Sequence, residues 1–122
     1  MIRLQRVYDA EKGYKGYKAE GARFLVERLW PRGIKKEALH FDAWLKDAAP
    51  SPELRTWFGH DPAKWKEFQR RYFAELDKDP EALKPIRKAI REGQVTFLYS
   101  SHDAEHNNAV ALKTYLTGRR KA

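Results

Sequence analysis

The sequence predicts an α/β domain, a small, mostly parallel sheet of about three to four strands with helices packed on it. Three observations lead there. Strand-like runs at residues 2–7, 23–27 and 95–99 stand on either side of a long helical middle. The run Val95-Thr96-Phe97-Leu98-Tyr99 is β-branched and almost wholly apolar, as in a strand covered on both faces. Proline-led helix starts recur at Ser51-Pro52, Asp61-Pro62 and Asp79-Pro80, so the strands are separated by helical crossovers.

Residues 2–7 alternate, with Ile2 and Leu4 on one face and Arg3 and Gln5 on the other. Residues 9–22 read as a loop that contains an echo, Gly13-Tyr14-Lys15 then Gly16-Tyr17-Lys18. Tyrosine and lysine interleaved on a glycine-rich segment suit base stacking and phosphate contact. They equally suit a plain connection, because Asp9, Glu11 and Glu20 offset the lysines. Phe24, Leu25 and Val26 in succession predict a second strand buried on both faces, ended by Pro31 and Gly33. A short helical turn is expected over residues 35–39. Phe41, Ala43 and Leu45 alternate as a possible short strand, while Trp44 and Ala48 also fit a helix.

Ser51 as N-cap, Pro52 in the first turn and Gly59 past the end define one helix. Trp65, Phe68, Tyr72, Phe73 and Leu76 recur at helical spacing in the next. Leu83, Ile86 and Ile90 carry a third, closed by Gly93; Pro85 inside it predicts either a late start or a kink. After the strand at 95–99, Asp103 is expected to cap a last helix from about residue 104 to residue 117.

The 122 residues fit one domain, 1–122, with a basic tail at 119–122. Hydrophobic residues at 42% and aromatics at 13% exclude a disordered chain. The absence of cysteine excludes disulfides and thiolate metal sites. No apolar run approaches the roughly 20 residues of a membrane span, and the first six residues lack a signal-peptide core, so a cytoplasmic protein is expected. A formal net charge of +8 favours polyanionic partners such as nucleotides or nucleic acid, though basic residues also simply solvate a surface.

Ligands of parallel sheets sit beyond the carboxyl ends of the strands. Three segments are expected there: Tyr8-Asp9, if the first strand is parallel, Arg28-Leu29-Trp30-Pro31-Arg32-Gly33, and Ser100-Ser101-His102 with the helix start that follows. Arg28 and Arg32 offer planar forks for phosphate or carboxylate. Ser100, Ser101 and the start of the last helix are candidates for the same anion, and Trp30 for a base. Packing for Trp30 and a salt bridge for Arg28 are the structural alternatives.

His102-Asp103-Ala104-Glu105-His106 matches the H-x-x-E-H pattern of inverted zinc peptidases. His102 is expected before the helix rather than on it, and no third ligand stands out, so no metal is assigned. A metal-free role suits the string better: His106 or Glu105 as acid or base, with His102, Asn107 and Asn108 around the substrate. No serine–histidine–acid spacing and no glycine-rich phosphate signature is present.

Several of these stretches together resemble the YeaO-like family of small proteins of unknown function. They are Arg6-Val7-Tyr8-Asp9, the run from Leu25 to Lys36 with Arg-Leu-Trp-Pro-Arg-Gly at its centre, Ala49-Pro50-Ser51-Pro52-Glu53-Leu54-Arg55, Tyr72-Phe73-Ala74-Glu75-Leu76, Thr96-Phe97-Leu98-Tyr99-Ser100 and Glu105-His106-Asn107-Asn108-Ala109. The chain departs in two places. It has Val26-Glu27-Arg28 where the family carries Val-Asp-Arg, and its first connection is longer. The resemblance implies an α/β fold and transfers no catalytic set. A broader related group has a cysteine-containing turn before its last helix; here that turn is Tyr99-Ser100-Ser101, so thiol chemistry cannot operate.

The functional expectation is therefore a domain binding a phosphate-bearing ligand at the carboxyl edge of the sheet. The alternatives are a small hydrolase or transferase acting on an acidic metabolite through His106 and Glu105, and a protein-interaction module using exposed aromatics. No cofactor and no membrane partner is expected, and the sequence leaves the oligomeric state open.

Overall fold

The computed structural model describes residues 2–9 and 21–118. The Gly-Tyr-Lys echo of residues 13–18 and the basic tail at 119–122 lie outside the described residues.

Four strands form one sheet: β1 (Ile2–Arg6), β2 (Ala22–Leu25), β3 (Ala43–Trp44) and β4 (Val95–Tyr99). Their order across the sheet is β1-β4-β2-β3, and every pairing is parallel. Arg6 lies opposite Tyr99 and Leu25 opposite Leu98, so the strands end level with one another. β4 is interior, as its uniform burial requires. β2 begins at a tight spot. Gly21 has φ +77, and a Cβ there would fall 1.8 Å from the Gln94 carbonyl oxygen, so only glycine allows β2 to start beside β4.

The α-helices packed on the sheet are α1 (Pro52–Phe58), α2 (Trp65–Lys78), α3 (Lys84–Glu92) and α4 (Asn108–Thr117). α1 has the predicted ends: the Ser51 side chain accepts from Leu54 N–H, and Gly59 takes the left-handed conformation. α3 starts late, with Pro85 in its first turn and a 3₁₀ turn at Pro80–Leu83 before it, so the proline displaces no helical hydrogen bond. The possible strand at 41–45 is realised as β3, two residues long.

The last helix corrects the sequence reading. α4 begins at Asn108 with Asn107 as its cap, its side-chain oxygen accepting from Val110 N–H at 3.0 Å. Asp103 caps a separate turn instead, where its Oδ1 accepts from the N–H groups of Glu105 and His106. Two capping residues four apart divide residues 103–117 into a turn and a helix, because Asn107 is held in extended backbone.

The sheet has two unequal covers. Ile2, Phe24, Val26, Val95, Phe97 and Tyr99 face the helical layer, where they meet Phe58, Phe68, Tyr72, Leu76, Ile86 and Leu112. On the other face Val7, Leu25 and Leu98 meet Ile34 and Leu39, with Trp30, Phe41 and Trp44 at the margin. The chain leaving β2 therefore passes to one face of the sheet, and the chain leaving β4 passes to the other through α4. Adjacent strands whose outgoing connections diverge leave a crevice at their carboxyl ends. The crevice between β2 and β4 is such a switch point.

Candidate functional site

Glu27 and Ser100 stand at this crevice, two residues beyond β2 and one beyond β4. The Ser100 N–H donates to Glu27 Oε2 at 3.0 Å, bridging the diverging chains. The indole of Trp44 donates to the Glu27 carbonyl at 2.7 Å and fixes the backbone there. Burial pushes the Glu27 carboxyl above its ordinary value of 4.5; hydrogen bonds from Ser100 and the positive charge of Arg55 oppose that rise.

Two connected concavities open from this point. The smaller is a cleft of about 70 Å³ whose lining includes Ala49 and Pro50, held by Arg28, and Phe58, Phe68 and His60. The larger is a shallow groove of about 910 Å³ across the rim, bordered by Arg6, Tyr8, Trp30, Arg32, Ser101 and His102. Glu27, Arg55, His60, Ser100 and Ser101 line both.

The arginines of the site have different occupations. Arg28 donates to the carbonyls of Ala49, at 3.1 Å, and Pro50, at 3.4 Å, and approaches Asp47 at 3.6 Å. Its guanidinium thus builds the cleft wall. Arg6 donates to the Ser101 carbonyl at 3.0 Å, meets His102 Nδ1 at 3.1 Å and lies over the Tyr8 ring. Arg32 and Arg55 are exposed, and neither guanidinium makes a hydrogen bond or ion pair among the described residues.

Other predicted residues divide in the same way. Trp30 lines the groove, but its N–H is donated to the Ile34 carbonyl and its ring packs 5.4 Å from both Phe41 and Trp44. It props the groove wall. Asn107 lines the cleft, yet both ends of its buried amide serve the helix start, one on Val110 N–H and the other on the Asp103 carbonyl. Asn108 donates to the Val26 carbonyl and ties α4 to β2. Ser101 accepts from Asp103 N–H at 3.1 Å.

Glu105 and His106 lie in the turn before α4 rather than on the helix, and line neither the cleft nor the groove. His106 Nδ1 is 2.8 Å from Asp103 Oδ2, and its ring meets Trp65 edge-on at 5.3 Å. Hydrogen bonds from the Glu105 and His106 N–H groups and from the His106 ring hold the Asp103 carboxyl below its usual range. The H-x-x-E-H string is a capped turn, without the helical face that a two-histidine zinc site needs.

Sequence reasoning missed Arg55 and His60 as site residues. Arg55 sits on α1, where its spacing reads only as a solvent face. His60 follows Gly59 in the left-handed region with φ 59, the one non-glycine residue with positive φ among the described residues. Such backbone is uncommon outside glycine, with histidine among the more tolerant types. The Gly59-His60 pair turns the chain back over Phe58 and sets the imidazole at the cleft mouth.

The class defined by this fold is a small all-parallel α/β domain with an arginine-bordered rim. The chain belongs to the family described as the inactive DUF488-N3 subclade, which it matches over residues 1–122, and it is YeaO-like. An uncharacterized protein of Mycobacterium tuberculosis is 38% identical over 119 residues, covering 97% of this chain and 95% of the relative. The uncharacterized protein YeaO of Escherichia coli K12 is 37% identical over 115 residues, covering 94% and 96%. No solved structure matches. No helix among the described residues is long and apolar enough to cross a membrane.

Proposed function

We propose that the chain binds a phosphate-bearing ligand, nucleotide or nucleic acid, in the groove at the carboxyl rim of its sheet. One observation carries the reading: Arg32 and Arg55 reach the same groove from different elements, and neither guanidinium makes a hydrogen bond or ion pair among the described residues. An internal structural role would leave partners on them, as it does on Arg28. Arg6 adds a third positive charge on the same rim, and the overall charge of +8 draws anions towards it. The description of the matched family as inactive supports binding over turnover. An acid–base role for His106 and Glu105 has less support, because neither lines the cleft or the groove.

The test is a salt titration of binding to short single-stranded oligonucleotides. Affinity should fall as salt rises, with a log–log slope of about −0.7 for each phosphate neutralised. Arg32→Ala and Arg55→Ala should each flatten the slope by about that amount. A salt-independent affinity, or no binding at low salt, would overturn the reading.

A further inference from the structure

The cleft beside the groove differs from it in chemistry. The groove is bordered by arginines; the cleft has an aromatic wall and a carboxylate at the point where the two join. Phe58 and Phe68 stack with centroids 4.3 Å apart and planes 25° off parallel, so one ring backs the other behind the cleft. Ala49 and Pro50 also line the cleft, held by Arg28. The opening of about 70 Å³ is small, on the scale of one edge of a planar heterocycle.

A carboxylate next to a phosphate site would be self-defeating for a ligand that is anionic throughout. It suits a ligand with phosphate at one end and N–H donors at the other. Glu27 accepts from the Ser100 N–H through Oε2, and an ionised carboxylate has about four lone-pair sites, so acceptor capacity remains for a ligand. Among the nucleobases, only guanine presents two adjacent N–H donors, N1–H and the 2-amino group, with no acceptor between them. Adenine and cytosine place a ring-nitrogen acceptor beside their amino group, and uracil flanks its single N–H with two carbonyls. Each of these would set a lone pair against the carboxylate.

We propose that the cleft receives the Watson–Crick edge of a guanine base, with Glu27 as its acceptor, while the arginine groove holds the phosphate of the same nucleotide. The base lies between Pro50 and the Phe58–His60 side, and the phosphate reaches Arg55, which borders both concavities. This rests on the phosphate-binding reading above and adds base identity to it.

Calorimetric titration of the full chain with GMP, IMP, AMP and UMP tests the proposal. GMP should bind at least about 10-fold tighter than AMP or UMP, the range of a good two-point base contact. IMP, which lacks the 2-amino group, should fall between. Glu27→Gln should erase the GMP preference and leave the weak phosphate-driven affinity, whereas Arg55→Ala should weaken all four alike. Equal binding of the four by the native chain would overturn the guanine proposal and leave the phosphate reading standing. A GMP preference that survives Glu27→Gln would overturn the assignment of Glu27. Failure of all four nucleotides and of oligonucleotides at low salt would overturn both readings.

Discussion

The two walls of the cleft are built on opposite plans. On one, residues 48–51 are gripped at every step. The buried Tyr72 hydroxyl donates to the Ala48 carbonyl, Arg28 holds the next two carbonyls, and Glu75 accepts from both the N–H and the hydroxyl of Ser51. On the other, Arg55 and His60 stand exposed on α1 and the turn after it, and Arg55 has neither hydrogen bond nor ion pair among the described residues. Both walls present arginine, and residue type does not separate them. What separates them is whether backbone carbonyls lie within reach. A guanidinium that meets orphaned carbonyls becomes part of the fold, and one that meets none stays available to a ligand.

The contrast can be broken first at Tyr72. Its ring is fully buried in the helical layer and its hydroxyl anchors the gripped wall. Tyr72→Ala should cost about 3–5 kcal/mol, within reach of unfolding a domain of this size, measured as the denaturation midpoint in urea. Arg28→Ala comes next. It leaves two carbonyls of the wall without their donor and should cost about 1–3 kcal/mol in the same assay. Arg55→Ala sharpens the contrast, with an expected stability change within about 0.5 kcal/mol of zero together with the loss of anion affinity described above. If Arg55→Ala proved the more destabilising of the two arginine variants, the division between the walls would be wrong.

The smallest effect sits where the walls meet. Burial raises the Glu27 carboxyl above its unfolded value, so the folded state holds that proton more tightly than the unfolded chain. The associated stability is present below the unfolded value of 4.5 and is lost as pH rises through the folded one. Glu27→Gln carries no charge at any pH, and should therefore gain on the native chain between pH 4 and pH 7. Paired melting curves at those two values would read the gain, and a constant difference would show that Glu27 titrates as it does in the unfolded chain.

Much of the rim was legible beforehand. Parallel strands end on one side, so Arg28, Trp30, Arg32, Ser100, Ser101 and His102 had to gather wherever β2 and β4 ran together. Their occupations were not legible. Trp30 spends its N–H on a turn four residues away, and Asn107 spends its amide on a helix cap; each looks identical in sequence to a ligand-binding residue. The start of α4 was misplaced because Asp103 and Asn107 are both competent caps, and sequence does not rank a turn against a helix over four residues. Arg55 and His60 escaped notice because they reach the site from a helix and a turn on the far side of a long crossover.

By itself the sequence determined the order and type of most of the elements, the burial of β4 and the family to which the chain belongs. The elements and the burial follow from periodicity, caps and apolar runs, and the family from the motif stretches around Arg-Leu-Trp-Pro-Arg-Gly; all are local in the chain. The tertiary structure alone decided which arginines are spent and which remain open, and that Glu27 meets Ser100 where two connections part. Such outcomes depend on which carbonyls, hydroxyls and rings arrive beside a side chain from tens of residues away.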